Sequence, residues 1–471
     1  MTDSGRKYAA LNSIVNDGTN VHIILEFPRK EPAQLVLPPI PVFVPISGRT
    51  SPGVEYQMKR IVTGVKNQHL VGLLHEAYKI KIPQHPFRGY VLSSRTESKQ
   101  NIGNRLPRSK SPLWFIFTGL GNQWVGMTKD MVKFKTFNDS IHKSAKILKE
   151  KENYDLLQVL ESTDPAYLDD FKNSIAAITS VQIALMDLFN VIGIQPDGIV
   201  GYSTGECCSG YADGCFSHEQ SLLVSFSRAR AFTESNLPPG SVAAVGLSWD
   251  QAKRRCPRGI YPAIHNSESL VSISGPPGDV QKFTAKLKSE NIFAQEVKSA
   301  IYGFHSPLVA GSEKLMRELL GKIITEPKPR SKKWISTSIL AEKWDSELAK
   351  YSSVDYHVNN ALSPVFFYVT LKHIPISSVV VEIGPHGFLQ SIIKQGAFGS
   401  ALVVALMDQK SNDNTKFYLD SLGKLYLHGV DLDAGKLYEP VQFPVQSGTP
   451  SLSPMIKWDH TRSWSVPQIK N

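Results

Sequence analysis

The run Gly198-Ile199-Val200-Gly201-Tyr202-Ser203-Thr204-Gly205-Glu206 constrains this chain more than any other stretch, because it takes an apolar strand straight into a glycine-flanked serine at the mouth of a helix. Such a turn is a nucleophile elbow. The sharp bend exposes the serine oxygen, the flanking glycines remove side chains that would block the bend, and the helix N-terminus stabilises negative charge nearby. The pentapeptide G-x-S-x-G also arises by chance, so the elbow carries a function only in company with other residues.

That company has to come from a large, ordinary globular chain. Its 471 residues allow two to four compact units, and its 41% hydrophobic and 20% charged content is neither disordered nor fibrous. Apolar runs such as Val379-Val380-Val381 are far too short to cross a bilayer, and the polar start is not a secretory signal. A soluble, cytoplasmic protein with no membrane span is expected. Cys207, Cys208, Cys215 and Cys256 have neither C-x-x-C nor zinc spacing, so reduced and mostly buried thiols are expected, with no metal and no disulfide. The net charge of +10 favours an acidic partner, yet no nucleic-acid motif accompanies it. The basic residues gather at 95–110 and 328–333, which read either as solvated loops or as a docking surface for an acidic carrier.

Along the chain, a strand-like run at 20–26 gives way to a proline-rich stretch at 28–45 and a helical pattern around 62–82. Residues 94–111 read as a flexible connection, with a new unit beginning near Pro112. Strand and helix then alternate, which predicts a parallel sheet with helices on its faces. A buried strand at 113–117 ends in Gly119-Leu120-Gly121-Asn122-Gln123. Ile175, Ile178, Val181, Leu185, Leu188 and Ile192 recur at helical spacing, predicting a helix that buries one face. Ser217 and Gln220 form a capping-box pattern opening a helix over 217–235, which carries Arg228.

The rhythm changes at 241–299. Strands at 242–247, 261–266, 270–274 and 292–297 and helices at 249–256 and 278–289 give the order β-α-β-β-α-β of a ferredoxin-like unit. It reads as an insertion, because alternation resumes with strands at 334–339, 379–383 and 402–406 before a helix at 416–428 and a polar tail. The expected fold is α/β: an α/β-hydrolase-like parallel-sheet core with an inserted ferredoxin-like subdomain, plus an N-terminal α+β linker domain. The expected divisions are 1–111, 112–240, 241–300, 301–408 and 409–471.

A serine hydroxyl attacks a thioester well only if a base takes its proton and placed donors receive the oxyanion. His305, in Tyr302-Gly303-Phe304-His305-Ser306-Pro307, stands where the inserted unit returns the chain to the main sheet. For any one of thirteen histidines, packing or a surface role is the default reading.

Taken together, Gly119 to Trp124, Gly201 to Glu206, Arg228, Phe304-His305 and Glu382-Ile383-Gly384-Pro385-His386 resemble the malonyl/acetyltransferase region of animal type I fatty acid synthase, and more broadly the acyltransferases of polyketide synthases. Residues 210–215, 243–249 and 326–331 also look like that synthase. Residues 18–25 resemble the last strand of the preceding ketosynthase, 47–90 the linker domain, and 453–460 the linker toward a dehydratase. The resemblance implies a piece of a multienzyme, or a truncated relative.

It also implies a mechanism. Ser203 attacks the thioester of malonyl- or acetyl-CoA with His305 as general base, and the acyl group then passes to the phosphopantetheine thiol of an acyl carrier protein. Backbone amides of Leu120 and Thr204 are implied as the oxyanion hole, and Gln123 as a substrate-binding residue. Main-chain carbonyls orient the dyad. No tightly bound cofactor is implied; coenzyme A thioesters are substrates, and the other synthase domains are partners. Arg228 offers paired donors that suit the free carboxylate of malonyl; the plainer reading is an exposed helix arginine. Phe304 resembles a feature associated with malonyl use. Tyr202 departs from the family, which commonly has histidine there, and is expected to line the pocket. Two other readings stay open: a serine hydrolase, with water deacylating Ser203, and a non-catalytic scaffold whose Tyr202 signals lost activity.

Overall fold

The computed structural model describes residues 7–14, 18–27, 38–94, 96–297, 301–397, 399–446, 448–457 and 463. Its first strands, β1 (Lys7–Ile14) and β2 (Asn20–Phe27), form an antiparallel hairpin whose β1 arm the composition did not announce. Next comes a three-stranded antiparallel sheet, β3 (Val42–Gly48), β4 (Phe87–Ser93) and β5 (Ser98–Ile102), in that order. Both outer strands correct the sequence reading. β3 lies at the end of the proline-rich stretch and holds Pro45, which an edge strand tolerates because it need not donate on its open side. β5 lies inside the expected flexible connection; its polar residues are exposed on an edge and so read as loop. The single helical pattern expected near 62–82 is two helices, Ser51–Gly64 and Gln68–Tyr78, the second restarted by Asn67 capping Leu70 N–H.

β6 (Leu113–Phe117) and β7 (Gly198–Gly201) begin the main sheet. Between them, helix Phe171–Val191 is buried nearly all round rather than on one face. It is wedged between helices Lys135–Glu152 and His218–Glu234 and touches the sheet, with Phe189 5.2 Å from Phe115 ring to ring. By length, and by the mean hydropathy of 1.5 of its most apolar stretch, it could cross a membrane, but 83% of that stretch is buried inside the fold.

The inserted unit contains β8 (Ser241–Val245), β9 (Tyr261–Ser267), β10 (Leu270–Gly275) and β11 (Ala294–Glu296), wholly antiparallel in the order β11-β8-β10-β9. With helices Trp249–Arg255 and Pro277–Ser289 this is the expected ferredoxin-like topology. It is tied to the rest of the molecule where His265 N–H donates to Val365 O (2.8 Å) and Ser274 Oγ to Phe304 O (2.6 Å).

β12 (Trp334–Ile335), β13 (Val379–Ile383) and β14 (Leu402–Ala405) complete a five-stranded parallel sheet ordered β12-β7-β6-β13-β14. β12 is far shorter than expected, because after Ile335 the chain turns inward so that Thr337 can bond a buried carboxylate. Successive strands step to one side of β6 and then, from β13, to the other. In such sheets the crevice at the carboxyl ends of the strands, where the order reverses, is where ligands bind. The loops leaving β6, β7 and β13 there are Thr118 to Gln123, the elbow, and Gly384 to Leu389.

Candidate active site

The elbow is built as its glycines require. Ser203 sits at φ 55°, a left-handed conformation that costs a non-glycine residue of order 1–3 kcal/mol. A side chain at Gly201 would lie 2.4 Å from Glu206 N, and one at Gly205 would lie 2.3 Å from Phe117 O on β6. Only glycines let the chain double back so tightly.

His305, also left-handed at φ 56°, meets the serine: Ser203 Oγ is 2.7 Å from His305 Nε2. On the far side, Nδ1 is 2.9 Å from Ser363 O. A carbonyl can only accept, so Nδ1 carries the proton and Nε2 is left free to accept from the serine hydroxyl. Burial first, and the Arg228 charge with it, bring the His305 pKa down to about 4 against the opposing backbone groups of Ser363 and Asn360. The ring is therefore neutral at pH 7, the state a general base needs.

Gly119 brings the loop after β6 against the elbow, since a side chain there would meet Tyr202 O at 2.8 Å and Ser203 Cβ at 3.2 Å. Among the described residues, the N–H groups of Leu120 and Thr204 make no hydrogen bond, so both remain available to an oxyanion. The loop is held from beneath by Gln182, whose Nε2 donates to Thr118 O (2.8 Å) and Ile383 O (3.0 Å). Gln123 braces the same loop by accepting from Gly121 N–H at 2.9 Å and has no hydrogen bond to Ser203 or His305.

Arg228 is not the exposed helix arginine of the plainer reading. It is 3% exposed, its Nη1 donates to Cys207 Sγ at 3.1 Å, and its Nε has no partner. Among the described residues it forms no ion pair. Phe304 is half-buried in an aromatic nest with Phe171, Phe232 and Tyr302, at ring separations of 5.1, 5.5 and 5.8 Å. Tyr202, expected to line the pocket, reaches from the elbow to the inserted unit. It is 7% exposed, its hydroxyl donates to Asn266 Oδ1 on β9 at 2.8 Å, and its ring packs on Phe367.

Other residues of the site were not singled out in advance. Glu206, fully buried, accepts at Oε1 from Thr337 N–H and Oγ1 (both 2.8 Å) and at Oε2 from Trp334 Nε1 (2.6 Å) and Tyr356 Oη (2.9 Å). It locks the elbow helix to β12 and to helix Val354–Leu362, which leads into Ser363. Glu382, on β13 at the head of the Glu382 to His386 motif, accepts from Leu389 N–H and Gln390 Nε2 (both 2.7 Å), and burial raises its pKa to about 7. Most described basic residues of the two runs are exposed, and several are engaged within the fold. The Arg330 guanidinium stacks on the Tyr356 ring at 4.3 Å, Lys333 Nζ donates to Pro196 O at 3.1 Å, and Lys99 pairs with Asp420 at 2.6 Å. Arg95 lies outside the described residues.

Two known families match the chain: "Acyl transferase domain" over residues 114–432 and "Ketoacyl-synthetase C-terminal extension" over residues 1–92. Similar curated proteins include the highly reducing polyketide synthase srdA of Neurospora crassa, 26% identical over 476 residues, covering 91% of this chain and 20% of that protein. Another is the highly reducing polyketide synthase sphB of Aspergillus fumigatus, 26% identical over 486 residues, covering 97% of this chain and 18% of its own length. The chain thus spans about one fifth of the curated relatives it matches. Among solved structures, the acyl transferase domain of ZmaA superposes with TM-score 0.71 at 17% identity, covering 86% of this chain and 98% of that one. The acyl transferase domain of SpnD, in complex with 2-(pent-4-yn-1-yl)malonyl, gives TM-score 0.70 at 20% identity, covering 85% and 98%. At such identities the likeness is one of fold. The relatives quoted are fungal polyketide synthases, and the fatty acid synthase resemblance is carried by the motifs.

Proposed function

We propose that this chain, which belongs to the acyl transferase domain family, moves malonyl or acetyl groups from coenzyme A to the phosphopantetheine thiol of an acyl carrier protein, with malonyl preferred. The observation that carries the reading is the pairing of a ready serine–histidine couple with a buried guanidinium that has no anionic partner among the described residues. Burying a cation without a counter-charge is costly, and a ligand carboxylate would relieve that cost. Malonyl offers one and acetyl does not.

In the first half-reaction, Ser203 Oγ attacks the thioester carbon while His305 Nε2 takes its proton. The Leu120 and Thr204 amides receive the oxyanion, and the carbon–sulfur bond breaks as His305 returns the proton to the departing thiolate. In the second, the carrier thiol gives its proton to His305 and attacks acyl-Ser203, whose oxygen then recovers a proton from the imidazolium. The matched ketosynthase extension and the short share of each relative covered support a place inside a larger synthase. The motif strings favour a fatty acid synthase, the relatives a polyketide synthase, and the chemistry at Ser203 is the same for both.

The test is brief exposure to malonyl-CoA and acetyl-CoA in competition, read by intact-protein mass. A malonyl adduct absent from Ser203→Ala is expected. A wild-type adduct lost to water faster than to a carrier thiol would favour the hydrolase reading.

A further inference from the structure

We infer that Cys207 is a positioning residue that aims Arg228, and that through this aim it sets how strongly the site prefers carboxylated acyl groups. The inference rests on the reading of Arg228 given above. Cys207 lies on helix Gly205–Ala212, four residues after Ser203, and is fully buried. Its carbonyl accepts from Ser221 Oγ at 3.0 Å, which fixes this turn of the elbow helix to helix His218–Glu234, the one that carries Arg228. Its sulfur receives the one hydrogen bond that the guanidinium makes among the described residues, at 3.1 Å from Nη1.

A buried guanidinium ordinarily finds a carboxylate, which satisfies its planar fork and cancels its charge. Sulfur is a weak acceptor and does neither in full. Burial raises the Cys207 thiol above its ordinary pKa, outweighing the lowering by Arg228, so the group stays an uncharged thiol. The consequence is direction without neutralisation: one donor is held and the positive charge is left for a ligand. A carboxylate at position 207 would spend that charge. A hydrocarbon of similar volume would leave the fork without any protein acceptor and free to turn aside. Because Cys207 and Ser203 belong to one elbow, the atom that takes the acyl carbon and the group that meets its carboxylate keep a common reference.

The experiment is competitive loading from equal malonyl-CoA and acetyl-CoA, read as the ratio of the two adducts, in Cys207→Val, Cys207→Ser, Arg228→Ala and the Cys207→Val/Arg228→Ala pair. Cys207→Val should lower the malonyl-to-acetyl ratio by roughly tenfold or more, the size of one lost hydrogen bond to a charged group, while acetyl loading stays near wild type. Cys207→Ser, whose hydroxyl still accepts, should keep the ratio close to wild type. The double variant should match Arg228→Ala, because the thiol acts only through the arginine. A Cys207→Val ratio equal to wild type while Arg228→Ala shifts it would overturn the proposal, and so would equal losses of both acyl groups, which would make Cys207 a packing residue. An unchanged ratio in Arg228→Ala would instead sink the reading of Arg228 on which this one stands.

Discussion

Glu206 lies on the elbow helix and Arg228 on the helix packed against it, an acidic and a basic side chain that are 0% and 3% exposed. Among the described residues the fold gives Glu206 four donors and Arg228 a single sulfur acceptor. The difference separates two uses of a buried ionisable group. Where every lone pair is satisfied from within, the group ties elements together, here the elbow helix, β12 and the helix leading to Ser363. Where the donors are left bare, the fold carries an unrelieved cost that a ligand of opposite charge can offset. Removing each should therefore have opposite consequences for stability and for catalysis.

On the proposed reading Ser203, activated by His305, is the reacting residue. The largest effect should come from His305→Ala, slowing acyl-enzyme formation by on the order of 10²–10⁴-fold, the usual share of a placed general base. Its pH behaviour is a second handle. Only the neutral ring accepts the serine proton, so wild-type loading should be flat from pH 8 to near 5 and fall as pH approaches about 4. The unfolded chain takes up that proton near 6.5 and the folded one only near 4, so His305 makes stability decline as pH falls between those values. A loading rate that halves near pH 6.5 would mean the ring is not held neutral.

Glu206→Ala should come next, as a loss of stability. It strands the donors of Trp334, Thr337 and Tyr356 in the core, and breaking a buried network from one side costs about 3–5 kcal/mol. Thermal or urea unfolding reads this directly. If Glu206→Ala melts like wild type, the saturated carboxylate is not architecture and the contrast fails at that end.

Arg228→Met tests the other end. Replacing an uncompensated buried cation by an apolar chain of similar length should leave the melting temperature unchanged or raise it. Malonyl loading should fall by roughly thirtyfold or more, from about 2–5 kcal/mol of lost charge pairing, with acetyl loading much less affected. A lower melting temperature with equal losses for both acyl groups would class Arg228 with Glu206.

What was legible beforehand follows the same division. Ser203, His305 and Arg228 could be picked out as candidates through the motif resemblance, because the chemistry proposed for them depends on side-chain type, and the inserted unit because its alternation is local, with elements falling within a few residues of expectation. Ser363 could not, because it acts through a backbone carbonyl that any residue supplies. Glu206 stood in the motif, but its partners lie 128 to 150 positions away, which no local pattern reports. Arg330 read as part of an exposed basic run, yet it is stacked on Trp334 and Tyr356, since a run of like charge predicts solvent and not which member turns inward. β3 and β5 were missed because proline and polar residues, permitted on sheet edges, also mark loops.

The smallest expected effect belongs to Tyr202, which decides whether the elbow is retuned or disabled. Its hydroxyl reaches Asn266 Oδ1, and Asn266 Nδ2 in turn reaches Ser272 Oγ at 2.9 Å, so the ring ties the nucleophile's turn to the inserted unit. Ser203, His305 and the amides of Leu120 and Thr204 draw nothing from that hydroxyl. Tyr202→Phe and Tyr202→His should accordingly change malonyl loading by less than about tenfold, roughly 1.4 kcal/mol, with Phe also losing the one hydrogen bond to Asn266. A nearly inert wild type revived a hundredfold or more by Tyr202→His would show instead that the tyrosine blocks a site whose charges are otherwise in place. Arg228 would then be a remnant of recognition, and the scaffold reading would displace the enzymatic one.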